Sequence, residues 1–308
     1  MKRNILARRA ASAALAACMM FSLSAPALAA STDALLQQST AAKSAVSVLD
    51  EENGMTEEPV YDEMDLNRGS ITVYIGDDGK QYAQQGDNAA QQRGNLSITT
   101  DGSQTHNTIT IKGGTTGAKV TLSNVNIDAP GAAVSVSGDV ELIISGTNTL
   151  HSGTNHAGVE KIDNGTLTIS GSGTLEAYGG QGGAGIGSGS QKGCSNIVIE
   201  SGTITARGGE WGAGIGSGNV GNRPGVLGGS NITINDGDVT AYGGSEAAGI
   251  GGGLKGNGKD ITINGGTVHA ESGGGEKVAA IGGGRVNGVG KNIQITGGNV
   301  TVKSGTGV

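Results

Sequence analysis

Residues 197–218 read IVIESGTITARGGEWGAGIGSG, residues 232–253 read ITINDGDVTAYGGSEAAGIGGG, and residues 261–284 read ITINGGTVHAESGGGEKVAAIGGG. The three segments share one grammar. An apolar triplet opens each, a Gly-containing turn follows, then a second alternating run, then a Gly-rich element around one Ile. The same order extends to the flanks. The opening triplets are Leu167-Thr168-Ile169, Ile197-Val198-Ile199, Ile232-Thr233-Ile234, Ile261-Thr262-Ile263 and Ile293-Gln294-Ile295, spaced by 30, 35, 29 and 32 residues. The second runs are Thr174 to Ala177, Thr203 to Ala206, Asp238 to Ala241, Thr267 to Ala270 and Asn299 to Val302. The Gly-rich elements begin at Ala184, Ala213, Ala248 and Ala279.

Side chains alternate across a strand, so the two Ile of each triplet point one way and the residue between them the other. Ile and Ala therefore face inward, and Thr, Asp and His face out. One such coil cannot bury its own apolar residues, but parallel coils stacked on one another can. The fold class predicted is all-β, a single-stranded parallel β-helix (β-solenoid) of about 30 residues per coil. Right-handed winding is expected because right-handed crossovers dominate parallel sheets. The differences in repeat length fall in loops, most visibly in an insertion over 221–229 that contains Pro224.

Working back toward the N-terminus, the pattern loosens. Ile71 to Val73, Leu96 to Ile98, Ile109 to Ile111, Val120 to Leu122, Val134 to Val136 and Leu142 to Ile144 read as strands. These belong to irregular opening coils that cap the stack. The expected organisation is a signal peptide over 1–30, an acidic flexible linker over 31–65 and a β-helix over 66–308. Within the helix, 66–164 are the opening coils and 165–308 the regular repeats, roughly eight coils rising on the order of 40 Å. In the linker, Ala34 to Leu49 could form a short amphipathic helix.

Composition agrees. The chain of 308 residues holds 60 Gly and only 2% aromatic side chains. A thick globular core needs bulky side chains, so this core is thin and filled by Ile, Val, Leu and Ala. Collagen would need abundant Pro, and there are four. Lys2, Arg3, Arg8 and Arg9 precede an apolar stretch from Ala10 to Leu23, and Ala27-Leu28-Ala29 offers a cleavage site. Retention as a membrane anchor, or lipid attachment at Cys18 in Leu15-Ala16-Ala17-Cys18, are the alternatives to cleavage. Export places the protein outside the cell, secreted or at the surface. Loss of the signal leaves 16 basic against 27 acidic side chains, a net of −11. That disfavours nucleic acid, anionic lipid and acidic polysaccharide as purely electrostatic partners. Nothing after residue 30 approaches a membrane span. Cys194 is then a lone thiol, expected to be a small buried hydrophobe. The last strand ends just before Val308, so its edge invites edge-to-edge self-association unless a further segment or another chain covers it.

Chemistry is sparse. Gly216-x-Gly218-x-x-Gly221 matches a dinucleotide fingerprint, but that fingerprint needs a following helix, and none is predicted. Asp236 and Asp238 lie at a turn, with Asp260 expected at the corresponding corner of the next coil. Such carboxylates could face each other as glycosidases require, or bond the local backbone of their turn. Arg207 and Arg285 are candidate bases for a pectin-lyase mechanism, but no dense acidic cluster accompanies either. His106, His151, His156 and His269 show no metal-ligand spacing. The chain is read as a non-enzyme that requires no cofactor. A metal site is unassigned, and calcium is a candidate ion.

One outward column carries the functional reading. The residue after the last Ala of each second strand is Tyr178, Arg207, Tyr242 or Glu271, with Lys303 in the last coil, and Trp211 lies in the neighbouring loop. Aromatic faces stack on sugar rings, and Arg and Glu bond hydroxyls. Tyr178, Arg207, Trp211, Tyr242 and Glu271 are therefore the candidate ligand-binding residues for a linear glycan. An ice-binding face would need unbroken Thr-x-Thr ladders, and Asp238, His269 and Asn299 interrupt them.

Gly146-Thr147-Asn148-Thr149-Leu150, Gly165 to Ile169, Gly171 to Leu175 and the recurring Ala-Gly-Ile-Gly blocks carry a resemblance. Over roughly 65–308 the chain resembles a bacterial family of secreted surface proteins described as carbohydrate-binding domain-containing or adhesin-like. Some of its members are right-handed parallel β-helices. The resemblance implies binding of plant or bacterial cell-wall polysaccharide, in some members with calcium. The matching motifs are structural and transfer no binding residue. The competing functions are a stalk that holds another module away from the cell, and a pectin-acting β-helix enzyme.

Overall fold

The computed structural model describes residues 62–222 and 228–305. The signal peptide, most of the acidic segment with its expected helix, and the centre of the 221–229 insertion lie outside these residues. From Leu96 onward the described chain winds through three sheets in the same order in each coil, and the first turn passes from sheet 1 to sheet 3 directly. Sheet 1 holds nine strands: Asp62–Asp65, Leu96–Thr99, Ala118–Ser123, Val140–Ser145, Leu167–Gly171, Cys194–Ile199, Gly228–Ile234, Asn257–Ile263 and Gly290–Ile295. Sheet 2 holds eight: Gln104–Thr105, Asn126–Ala129, Thr147–Ser152, Thr174–Tyr178, Thr203–Arg207, Asp238–Tyr242, Thr267–Glu271 and Asn299–Lys303. Sheet 3 runs from Ile71–Ile75 through Ile109–Lys112, Val134–Ser137, Val159–Lys161, Ile186–Gly187, Ile215–Gly216 and Ile250–Gly251 to Ile281–Gly282. All these neighbours pair in parallel, which makes the fold a parallel β-helix. The exception is at the start of sheet 3, where Gln81–Gln85 and Gln91–Gln92 add antiparallel to Ile71–Ile75 and close that edge.

Like lies over like. Leu167, Ile197, Ile232, Ile261 and Ile293 are directly paired from coil to coil, as are Ile169, Ile199, Ile234, Ile263 and Ile295. The inward ladder of sheet 2 is Ala177, Ala206, Ala241, Ala270 and Val302. Except in the last coil, these ladders are buried. Each fully buried Ile contributes about 2–3 kcal/mol relative to exposure. In the last described coil Ile293, Ile295 and Val302 are 38%, 52% and 58% exposed, since among the described residues none stacks on them from above.

The opening coils keep the same register rather than departing from it: Leu96, Val120, Leu142 and Ile169 form one column. They are shorter, at 24, 22 and 27 residues, because the links between sheets are shorter, as from Thr105 to Ile109 and Ala129 to Val134 between sheets 2 and 3 and from Ser137 to Val140 between sheets 3 and 1. The β-helix also begins inside the segment read as linker. Asp62–Asp65 pairs with Leu96–Thr99 as the first strand of sheet 1, and Asp65 then caps the 3-10 turn Leu66–Arg68. This strand carries three carboxylates and no inward Ile or Val, so its sequence looked like solvated chain.

The Gly-rich elements are explained by distance. A Cβ on Gly187 would lie 1.7 Å from the Gly216 carbonyl oxygen, and φ there is +144°. A Cβ on Gly185 would lie 2.6 Å from the backbone N of Arg207. Sheet 3 therefore approaches both its own next rung and the end of sheet 2 too closely for side chains. Asn148 fills an inward position below Leu175 at no polar cost. Its Oδ1 accepts from Val125 N at 3.0 Å, and its Nδ2 donates to the carbonyls of Ser145 and Thr174.

Candidate ligand-binding face

The outward side of sheet 2 presents three columns. The column at the strand ends runs Asp128, His151, Tyr178, Arg207, Tyr242, Glu271, Lys303. Beside it run Asn126, Thr149, Glu176, Thr205, Thr240, His269 and Thr301. Farther along come Thr147, Thr174, Thr203, Asp238, Thr267 and Asn299. Alternation creates the face: each outward residue is separated by a buried one, as Glu176 is by Leu175 and Ala177. The breaks at Asp238, His269 and Asn299 fall where the sequence places them.

Tyr178, Arg207, Tyr242 and Glu271 thus stand in one register column. Trp211 does not join it. It sits in the turn after sheet 2, where its backbone N donates to Gln181 O and its carbonyl accepts from Leu254 N. Sequence reasoning missed Asp128 and His151, which extend the column downward. The signal was present: each directly follows an inward residue of its strand, Ile127 or Leu150, as Tyr178 follows Ala177.

The stacking mode is a correction. His151 and Tyr178 stack with ring centroids 4.2 Å apart and planes within 4°. The Arg207 guanidinium lies 3.7 Å over the Tyr242 ring, and His269 meets Tyr242 edge-on at 6.0 Å. Stacked rungs turn ring faces toward one another along the column. One face each of Tyr178 and Tyr242, expected to take up sugar rings, is thus engaged by a neighbouring side chain. The polar tips are tied as well. Tyr178 donates its hydroxyl to Glu176 Oε2 at 2.9 Å, and burial, reinforced by that carboxylate, holds its pKa above the usual phenol value. Lys303 Nζ lies 3.0 Å from Glu271 Oε1, and this bond, more than any other cause, holds the Glu271 carboxyl below its ordinary range.

At the lower end of the face a hollow of about 330 Å³ is lined by Asp101, Gly102, Asn124, Asn126, Thr147 and Thr149. Asn126 Nδ2 donates to Gly102 O, and Asn124 Oδ1 accepts from Thr147 N. Its lining is amide, hydroxyl and one carboxylate, and it opens onto the two inner columns.

The other candidates separate. Asp260 pairs with the Asn231 position of sheet 1, whereas Asp236 corresponds to Gly265, so the expected carboxylate corner does not form. Register, counted along the bulged strand, displaces Asp260 by five residues. Asp236 Oδ1 instead accepts from Gly237 N at 2.8 Å. Arg285 is ion-paired with Glu246. Gly216 lies in a two-residue strand of sheet 3, and no α-helix occurs among the described residues. Nor, among them, do three or more His, Cys, Asp or Glu gather into a group that could hold a metal.

Cys194 is buried, and burial pushes its thiol up to about 12. Two buried charges escaped the sequence reading. Glu160 takes the place that Gly187, Gly216, Gly251 and Gly282 hold in later coils. It accepts from Ala157 N at 3.1 Å, lies 2.8 Å from His156 Nδ1 and 3.3 Å from Lys192 Nζ, and so closes the first long loop. Its neighbour Lys161, 2% exposed, donates to Asp163 O at 2.8 Å.

Four segments, 167–190, 197–219, 232–254 and 261–285, match the family model described as Beta helix repeat. The match agrees with the parallel β-helix seen in these coils. The matched segments are those that carry the sheet-3 glycine ladder, and they supply four rungs of the sheet-2 face. No curated protein and no solved structure matches the chain.

Proposed function

We propose that this β-helix is a secreted or cell-surface, non-catalytic carbohydrate-binding protein of adhesin type, holding a polysaccharide along the outer face of sheet 2. One observation carries the reading: polar and aromatic side chains stand in register over seven coils on one face, from Asp128 to Lys303. A repetitive polymer is the natural counterpart of a repetitive surface. Stacking along the column fixes the side chains before binding, which lowers the ordering cost of recognition. The Thr hydroxyls, the Asn126 amide and the His imidazoles of the face then bond sugar hydroxyls.

A stalk is the second reading. It is favoured by the degree to which the column satisfies itself, through the His151–Tyr178, Arg207–Tyr242 and Glu271–Lys303 pairs. Retention on insoluble plant and bacterial cell-wall polysaccharides separates the two. The assay compares the wild type with a Tyr178→Ala, Arg207→Ala, Tyr242→Ala variant, with calcium and with a chelator. Retention of the wild type and its loss in the variant supports the binding face, and no retention on any polysaccharide supports the stalk. A drop on chelation would make calcium part of the site.

A further inference from the structure

We propose that the sheet-2 face takes an extended, uncharged glycan with one sugar ring per coil, starting from the Asp101 hollow. This rests on the carbohydrate-binding reading. Successive rungs are about 4.8 Å apart, close to the advance of an extended pyranose chain per ring. A chain lying along the stack therefore meets an equivalent position at every ring, and mismatch accumulates slowly. The column beside the stacked rings offers Asn126, Thr149, Glu176, Thr205, Thr240 and His269, six rungs from the hollow upward. Amide, hydroxyl, carboxylate and imidazole are the groups that bond ring hydroxyls. The wall of the track is the self-stacked column from His151 to Tyr242.

Charge selects among glycans. The face carries Asp128, Glu176, Asp238 and Glu271 against Arg207 and Lys303, with Asp101 in the hollow. Lys303 is already paired with Glu271, and Arg207 lies on Tyr242. A polymer with a carboxylate on each ring meets net repulsion here, and an uncharged one does not.

The test is calorimetric titration of the full chain with cello-, manno- and xylo-oligosaccharides of two to eight rings, and with oligogalacturonides of equal length. Affinity for at least one neutral series is expected to rise at least tenfold between three and six rings and to level off beyond. Oligogalacturonides are expected to bind at least tenfold more weakly at low salt. Full affinity already at two or three rings, a preference for oligogalacturonides, or polysaccharide retention with no oligosaccharide binding overturns the one-ring-per-coil register while the carbohydrate reading stands. Absence of both retention and oligosaccharide binding overturns the two together.

Discussion

Replacing Gly187 with Ala tests whether the glycine ladder is demanded by rung-to-rung approach. The new methyl would lie 1.7 Å from the Gly216 carbonyl oxygen, where even a close C···O contact needs about 3.3 Å. Relief requires roughly a 1.5 Å shift, about a third of the rung spacing. The local ladder cannot absorb that. The Gly216 carbonyl also accepts from Ser188 N at 3.0 Å, and that bond would open, at about 1 kcal/mol. The backbone at φ +144° adds about 1–3 kcal/mol for any residue with a Cβ. With the distortion of the adjoining rung, the loss is expected to reach at least about 4 kcal/mol. Gly131→Ala is the control. It has open space around it and an ordinary φ, so a change between zero and a gain of about 1 kcal/mol is expected. Urea unfolding by far-ultraviolet circular dichroism reads both. Hydrogen exchange over 184–189 and 213–218 shows whether damage is local, because stacked repeats need not unfold in one step. If Gly187→Ala behaves like Gly131→Ala, with protection of both rungs intact, close approach is not what selects glycine.

Three further outcomes follow from burial. Ile232→Ala, in mid-stack and fully buried, should cost about 3–4 kcal/mol, and Ile293→Ala, 38% exposed, about 1–2, read from urea midpoints; equal costs would contradict coil-on-coil burial. Cys194 should resist a thiol reagent at pH 8 in the folded chain and react at once in denaturant, since burial holds its thiol near 12; rapid labelling of the native protein would refute this. Burial holds the Lys161 pKa below its unfolded value, so the unfolded chain binds more protons between the two values. Stability should therefore rise with pH through that alkaline window, with the burial penalty fully present below it. Lys161→Met should remove the slope and stabilise by about 1 kcal/mol at pH 7, and a lower urea midpoint at pH 7 would count against it.

Much of the fold was legible because the solenoid repeats its inward residues. Every Ile triplet from Leu167 onward pairs with its counterpart, since alternation and a fixed repeat leave a single register that keeps Ile inside. Less legible were features with little apolar signal. Asp62–Asp65 is held by edge pairing, with Met64 its sole apolar contact to the core among three carboxylates. The closing hairpin Gln81–Gln85 and Gln91–Gln92 is mostly glutamine. Asn148 sits inside because its amide meets three backbone groups, which composition does not reveal.

The face was legible for the same reason, and its chemistry was not. Stacking identical coils makes any outward position a column, so Tyr178, Arg207, Tyr242 and Glu271 could be aligned from spacing alone. Spacing does not say which way a ring turns. At a rung separation of about 4.8 Å, neighbouring rings and a guanidinium are already at stacking distance. They satisfy one another before any ligand arrives, as His151 does Tyr178 and Arg207 does Tyr242. Rungs this closely spaced therefore leave fewer free ring faces than the count of aromatic residues suggests. On the carbohydrate reading proposed above, recognition comes from hydrogen bonds repeated coil by coil. That is why affinity that grows with ligand length, rather than with the aromatic content of the face, is the decisive property to measure.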